Sequence, residues 1–102
     1  GGSAALESQY RWQLDNLSRK FPESRERIVT MTMKAREMLG QEGVHVGMET
    51  IMDGIDSAVH RRIGGMTYAE AVSSYMTFRR QGDSHWDAVQ NLQALLNALG
   101  VN

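Results

Sequence analysis

The chain has 102 residues, with eleven lysines and arginines, twelve aspartates and glutamates, three histidines and no cysteine. This length predicts a single compact domain, and the lack of cysteine excludes a disulfide scaffold, thiolate catalysis and cysteine-ligated metal sites. A formal charge of −1 provides no bulk attraction to nucleic acid or anionic lipid. The apolar runs are much shorter than the roughly 18 to 20 residues that a membrane span requires, and we expect a cytoplasmic protein.

Proline and glycine punctuate the chain and separate five predicted helices. We interpret residues 1–3 as a leader outside the fold and residues 4–102 as one helical domain. The first helix is predicted over residues 4–21, because apolar residues recur there at spacings of three and four. This stripe consists of Leu6, Tyr10, Leu14, Leu17 and Phe21. Pro22 ends the helix and is able to open the next one, with Glu23 near the positive end of its dipole.

The second and third predicted helices are also amphipathic. The inward face of the second helix consists of Ile28, Met31, Ala35, Met38 and Leu39, and Gly40 is its expected C-terminal cap. The third helix is predicted over residues 48–63, after a glycine-containing loop. Its expected buried residues are Met48, Ile51, Met52, Ile55, Val59 and Ile63. Gly54 lowers helix propensity, so it either permits another helix to approach closely or makes this helix the least rigid.

The last two helices have clear start signals. Thr67 and Glu70 stand at the spacing of a capping box, and Ser84 with Asp87 repeats that spacing. The short connection over residues 79–83 predicts an antiparallel helical hairpin. The fourth helix has the apolar arc Tyr68, Ala71, Val72, Tyr75, Met76 and Phe78, and the fifth has the stripe Val89, Leu92, Leu95, Leu96 and Leu99, ending at Gly100. The predicted fold is all-α, a compact bundle of about five helices.

Catalytic and metal-binding patterns are weak in this sequence. Ser84, His85 and Asp87 start a helix and point in different directions there, which favours two capping residues and a surface histidine over a catalytic triad. Residues Glu49, Asp53, Asp56 and His60 lie within roughly 60° of one another on a helix. A metal site is one interpretation of this stripe, but such sites usually draw ligands from two or more helices. We favour a solvated acidic stripe, and we predict no enzyme activity and no cofactor.

The hairpin of the fourth and fifth helices also permits a DNA-binding interpretation. A recognition helix needs polar side chains at base edges and basic residues near phosphates. The fifth helix has Gln90, Asn91, Gln93 and Asn97 as expected exposed residues, but no lysine or arginine. A DNA-associated regulator is therefore the alternative function, and direct binding of nucleic acid is the less favoured prediction.

Apolar side chains remain after the core is assigned. Trp12 lies opposite the stripe of the first helix, Val29 and Met33 point away from the inward face of the second, and Trp86 lies at the edge of the stripe of the fifth. These side chains either cover neighbouring helices or form an interface, for which tryptophan and methionine are favoured. We predict that Trp12, Val29, Met33 and Trp86 form a contact surface for a protein partner and for a homodimer built on the first two helices.

The run from Leu17 to Met31, LSRKFPESRERIVTM, followed by two compact helical units, resembles the QslA-like anti-activators of bacterial quorum sensing. The resemblance extends over the size and helical character of nearly the whole chain. It implies a protein that binds a LuxR-type transcription activator, such as LasR, and prevents its dimerisation or DNA binding. The resulting prediction is a non-enzymatic regulator that acts through protein–protein interaction.

Overall fold

The structure is a computed structural model that describes residues 2–102, with side chains described from Ala4 onward. The described residues form six α-helices and no β-strand, which confirms the all-α bundle. The helices are α1 Gly2–Gln9, α2 Arg11–Lys20, α3 Arg25–Gln41, α4 Met48–Ala58, α5 Tyr68–Arg80 and α6 His85–Ala98. None of these helices, within residues 2–102, has both the length and the apolar character of a membrane-spanning segment.

The predicted first helix is interrupted at Tyr10 and forms α1 and α2. The backbone at Tyr10 has φ −105° and ψ 26°, outside the helical range, although its N–H still donates to Leu6 O at 3.0 Å. Because of this break, α1 packs against α3 as well as α2. Of the predicted leader, Gly2 and Ser3 belong to α1, and Gly1 lies outside the described residues.

The turn between α2 and α3 differs from the sequence prediction. Helix α3 begins at Arg25, and the Ser24 side chain caps it by accepting a bond from Arg27 N at 3.2 Å. Glu23 therefore stands before this helix, and its carboxylate accepts bonds from Tyr68 N at 2.9 Å and Ala69 N at 3.0 Å. The charge that we expected to stabilise the helix following it instead stabilises the start of α5.

Two helix ends also lie elsewhere than predicted. Helix α3 continues through Gly40 to Gln41, and the left-handed turn occurs at Gly43, where φ is 82°. Helix α4 ends at Ala58, not at Ile63, since Val59 is extended. The Asn102 side chain holds this end: its Nδ2 donates to Ala58 O at 2.8 Å, and its Oδ1 accepts from His60 N at 2.8 Å.

The starts of α5 and α6 confirm most of the capping prediction. Thr67 and Glu70 form the complete capping box, with Glu70 N to Thr67 Oγ1 at 3.1 Å and Thr67 N to Glu70 Oε1 at 2.9 Å. Ser84 Oγ accepts from Asp87 N at 3.2 Å, which caps α6 from one side. The two helices pack against each other across residues 81–84, as the predicted hairpin requires.

One core joins the six helices and contains most of the predicted apolar residues. Its largest fully buried side chains are Tyr68, Tyr75, Phe21, Leu14, Leu17, Ile28, Leu39, Ile51, Met52, Ile55, Leu92 and Val29. The prediction was wrong for Met38, Leu95 and Leu99, which are exposed. They lie at the edges of their apolar stripes, where the neighbouring helices do not cover them.

Candidate interaction surface

Two of the four predicted contact residues are on the surface. Trp12 on α2 is 67% exposed and Trp86 on α6 is 63% exposed. Trp12 lies opposite Leu14 and Leu17, which are fully buried, so the helical spacing correctly indicated its direction. Tryptophan side chains with so large an exposed fraction are unusual on the surface of a monomer, and tryptophan is enriched at the centres of protein interfaces. Both side chains are therefore available to a partner.

The other two predicted contact residues are not free. Val29 is only 1% exposed, so the expectation that it faces outward is wrong. Met33 is half-buried and packs against the core. Helix α3 packs against α1, α2, α4 and α5, and this wide contact covers the second apolar face that we assigned to an interface. A dimer built on Val29 would require part of the core to open.

A hydrogen-bonded cluster supports Trp86 from beneath. Tyr75 OH and His85 Nδ1 are 2.8 Å apart, and Arg79 Nη1 donates to Tyr75 OH at 3.0 Å. The Tyr75 oxygen accepts from Arg79, so its own proton is directed to His85 Nδ1, which then acts as acceptor. The His85 ring contacts the Trp86 ring edge-to-face, with centroids 5.1 Å apart. The predicted surface histidine is in fact half-buried and positions the tryptophan beside it.

Burial and charge shift the acidities of this cluster. Burial lowers the pKa of His85, and the nearby Arg79 cation lowers it further. Burial also raises the pKa of Tyr75, against the opposing effects of the Arg79 hydrogen bond and charge. Both shifts favour the neutral forms, which are the forms that the Tyr75–His85 hydrogen bond requires. The cluster has no acidic member to activate a nucleophile, so its arrangement fits a structural support.

Gly54 makes room for His85. A Cβ atom at this position would lie 2.7 Å from His85 Cε1 and 3.0 Å from Val89 Cγ2. Real Cβ atoms essentially never approach other atoms this closely, so α4 and α6 meet where a side chain is missing. Of the two predicted roles for Gly54, the close approach of another helix is the one that the structure shows.

The acidic stripe does not assemble a metal site. Asp56 forms an ion pair with Lys20, whose Nζ lies 2.7 Å from Asp56 Oδ1 and 2.9 Å from Asp56 O. His60 lies beyond the end of α4, so it leaves the face that it was expected to share. Burial, with the charges of Glu49 and Asp56, raises the pKa of Asp53. Within the described part of the chain, no group of three or more His, Asp or Glu side chains could hold a metal ion.

The sequence did not reveal a groove beside the C-terminal half of α6. This α6 groove has a volume of about 300 Å³ and lies between α6, α5 and the loop after α4. Its apolar lining consists of Ile63, Met66, Leu92, Leu95, Leu96, Leu99 and Val101. Leu95 is 42% exposed and Leu99 is 65% exposed, so both side chains stand at its edge. An uninterrupted leucine stripe was the available signal, but it is also the pattern of a buried helix.

The basic residues of the α5–α6 hairpin have partners within the chain. Arg80 Nε lies 2.7 Å from Glu42 Oε2, and Arg79 is bonded to Tyr75. The exposed residues of α6 are amides, alanines and Leu95, beside Trp86 and Asp87. This arrangement provides little positive charge for a phosphate backbone.

The model of the MoxZ family matches residues 1–96, which is nearly the whole chain. No curated protein and no solved structure matches the chain.

Proposed function

The chain belongs to the MoxZ family, and we propose from its exposed aromatic anchors that it is a non-enzymatic regulator that acts by binding another protein. The observation that carries the proposal is the exposure of Trp12 and Trp86 on a small bundle whose other aromatic side chains are buried or partly buried. Removing a tryptophan from the centre of an interface commonly costs at least 2 kcal/mol of binding free energy, on the order of a thirtyfold change in Kd.

The two anchors differ in how they are held, and both arrangements suit binding. Trp86 is supported by His85, which loses little freedom because Tyr75 and Gly54 fix its ring. A side chain that is already ordered costs less conformational entropy when a partner arrives. Trp12 lies on the ten-residue helix α2, between the exposed arginines Arg11 and Arg19 in the sequence. These cations stand at the edge of the contact, where charge guides association more than it adds affinity.

The partner that we propose is a transcription activator of the LuxR type. The resemblance of residues 17–31 to quorum-sensing anti-activators supports this partner class. In this proposal the protein occupies a surface that the activator needs for dimerisation or DNA binding, and it acts in the cytoplasm with no cofactor. The lack of cysteine fits that reducing compartment.

The direct test is a titration of the chain against the ligand-binding domain of a LuxR-type regulator from the same cells. We expect Trp12→Ala and Trp86→Ala each to weaken binding at least about tenfold, which is 1.4 kcal/mol. Met38→Ala is the matched control, because Met38 is an exposed apolar residue on a different helix. It should leave Kd within about twofold of the unmodified chain, and circular dichroism should show all variants folded.

The outcome that contradicts the surface assignment is unchanged binding by both tryptophan variants. If the chain binds no activator but shifts duplex DNA with a steep salt dependence, the DNA-associated alternative replaces the proposal. A functional readout completes the test: adding the chain should release the activator from its DNA site, and the tryptophan variants should require at least about tenfold more protein to do so.

A further inference from the structure

The α6 groove has an electrostatic environment unlike the rest of the molecule. All eleven basic and twelve acidic residues of the chain precede residue 88, so residues 88–102 include no ionisable side chain. Glu70 is the charged residue that lines the groove, and its Oε1 accepts bonds from Thr67 N and Thr67 Oγ1. The groove and the part of α6 that follows Asp87 are therefore apolar and amide-bearing, and the one carboxylate that lines the groove, Glu70, is already engaged.

Because the α6 groove offers no free charge, an uncharged partner surface is favoured to cover it. A basic or acidic partner would bring charges that find no counter-charge here and that would lose their hydration on binding. An uncharged face of leucine, alanine and amide groups is the complementary match. The chain itself carries such a face on α6, and asparagine and glutamine both donate and accept hydrogen bonds. The same amide can therefore pair with its symmetry mate.

We propose that a second copy of this chain covers the α6 groove in a twofold dimer. Leu95 and Leu99 of each copy enter the groove of the other, so one surface supplies both the inserted side chains and the cavity. Such self-complementary contact defines an isologous interface, and homodimer interfaces are more apolar than other protein surfaces. The proposed dimer interface therefore lies on α6, and not on α3, where Val29 and Met33 are covered.

The dimer surface and the proposed partner surface do not compete. Leu95 follows Trp86 by nine residues, which places the two side chains about 180° apart around α6. Trp86 therefore remains accessible when the α6 groove is covered. The dimer would present two copies of each tryptophan.

A charge-swap experiment tests the pairing. Light scattering of the full chain should show a dimer, and Leu95→Glu and Leu95→Lys should each be monomeric because like charges meet across the axis. Mixing the two variants should restore a dimer, since Glu and Lys then face each other. Met38→Glu is the control, because Met38 is 45% exposed, close to the 42% of Leu95, and it should stay dimeric.

Cysteine cross-linking provides a second measurement that does not depend on introducing charge. The chain contains no cysteine, so Leu99→Cys supplies a single thiol, as does the control Met38→Cys. Mild oxidation should link most of the Leu99→Cys chain and little of the control. A monomeric unmodified chain, a dimer that survives both Leu95 variants, or a failure of the mixture to reassociate would each overturn the proposal. None of these results depends on whether an activator binds Trp12 and Trp86.

Discussion

The starts of α5 and α6 look alike in sequence but are held by different physical means. At α5, Thr67 and Glu70 cap each other, Glu23 accepts the N–H groups of Tyr68 and Ala69, and the Tyr68 hydroxyl lies 2.7 Å from Thr32 Oγ1. At α6, Ser84 supplies one cap bond. The rest of the attachment centres on the His85 ring, which is hydrogen-bonded to Tyr75 OH at 2.8 Å and packs against Gly54, Tyr75 and Trp86.

The difference shows which parts of the molecule are fixed and which are exposed for use. The start of α5 is satisfied by polar groups, and its aromatic side chain, Tyr68, is fully buried. The start of α6 presents Trp86 to solvent and depends on shape at Gly54. We infer that α5 serves stability and that the α6 start serves contact, and four perturbations test that distinction.

The largest effect is expected from Thr32→Val, a change in α3 that removes the partner of Tyr68 at the start of α5. Thr32 Oγ1 donates to Ile28 O at 2.7 Å, so the Tyr68 hydroxyl is the donor toward Thr32. Valine keeps the shape but leaves the buried Tyr68 hydroxyl without its acceptor. We expect a loss of about 1–3 kcal/mol in the free energy of unfolding, measured by denaturant titration.

The matched control for this change is Thr30→Val, because Thr30 is exposed on the same helix and donates to Glu26 O in the same way. It should change stability by less than about 0.5 kcal/mol. Adding Tyr68→Phe to Thr32→Val should recover part of the loss, since both polar partners are then removed. No recovery in the double variant would contradict the assigned hydrogen bond.

The second-largest loss of stability is expected from Gly54→Ala, where α4 contacts the start of α6. Alanine gains up to about 1 kcal/mol of helix propensity but places Cβ against His85 and Val89, and such overpacking costs about 1–3 kcal/mol. With the full propensity gain the net loss of stability is up to about 2 kcal/mol, and we expect a change in the fluorescence of Trp86, measured with Trp12→Phe as background.

Gly40→Ala is the control for this substitution, because Gly40 is also helical and a Cβ there would meet nothing within 4 Å. It should stabilise the protein by up to about 1 kcal/mol. Gains of equal size at Gly40 and Gly54 would show that α4 and α6 do not rely on the missing side chain.

A smaller effect is expected from Glu23→Ala, which removes two acceptors from the first turn of α5. Loss of a capping acceptor costs about 1 kcal/mol, and Thr67 with Glu70 still caps the helix. Glu23→Gln keeps one acceptor oxygen and should lose less. Glu26→Ala, in the first turn of α3, is the control and should have the smaller effect because no bond of its side chain to α5 is present in the described structure.

Local signals in the sequence predicted much of this arrangement. The spacing of Thr67 and Glu70 identified a capping box, and the direction of Trp12 relative to Leu14 and Leu17 identified its exposure. Both features depend on residues within a few positions of each other, so helical geometry is sufficient to predict them.

Features that depend on distant contacts were missed. Glu23 accepts hydrogen bonds from Tyr68 and Ala69, which lie 45 and 46 positions further along the chain. Asn102 donates to Ala58 O at the end of α4, 44 positions before it. Val29 was expected outside because helical spacing cannot show that the chain breaks at Tyr10 and packs α1 on α3. Likewise, the leucine stripe of α6 did not reveal that no neighbouring helix covers Leu95 and Leu99.

The smallest effect is expected in the pH dependence of stability, which should involve the start of α6 but not the start of α5. Burial and Arg79 lower the pKa of His85, so the folded protein disfavours the imidazolium that the unfolded chain binds readily. The stability that His85 contributes is complete above its unfolded pKa, about 6.5, and decreases as pH falls below that value toward the lowered folded pKa. Denaturant titrations across this window should show stability falling more in the unmodified chain than in His85→Gln.

The two helix starts should differ in this measurement as well. In a Trp12→Phe background, the fluorescence of Trp86 should change over the same pH window, because protonated His85 no longer accepts the Tyr75 proton and its ring loses its fixed position beside Trp86. Thr32→Val should lower stability equally at both ends of the window, since the Tyr68–Thr32 bond involves no group that titrates there. If Thr32→Val and His85→Gln altered the pH dependence alike, the separation between a stabilising α5 start and a contact-forming α6 start would be lost.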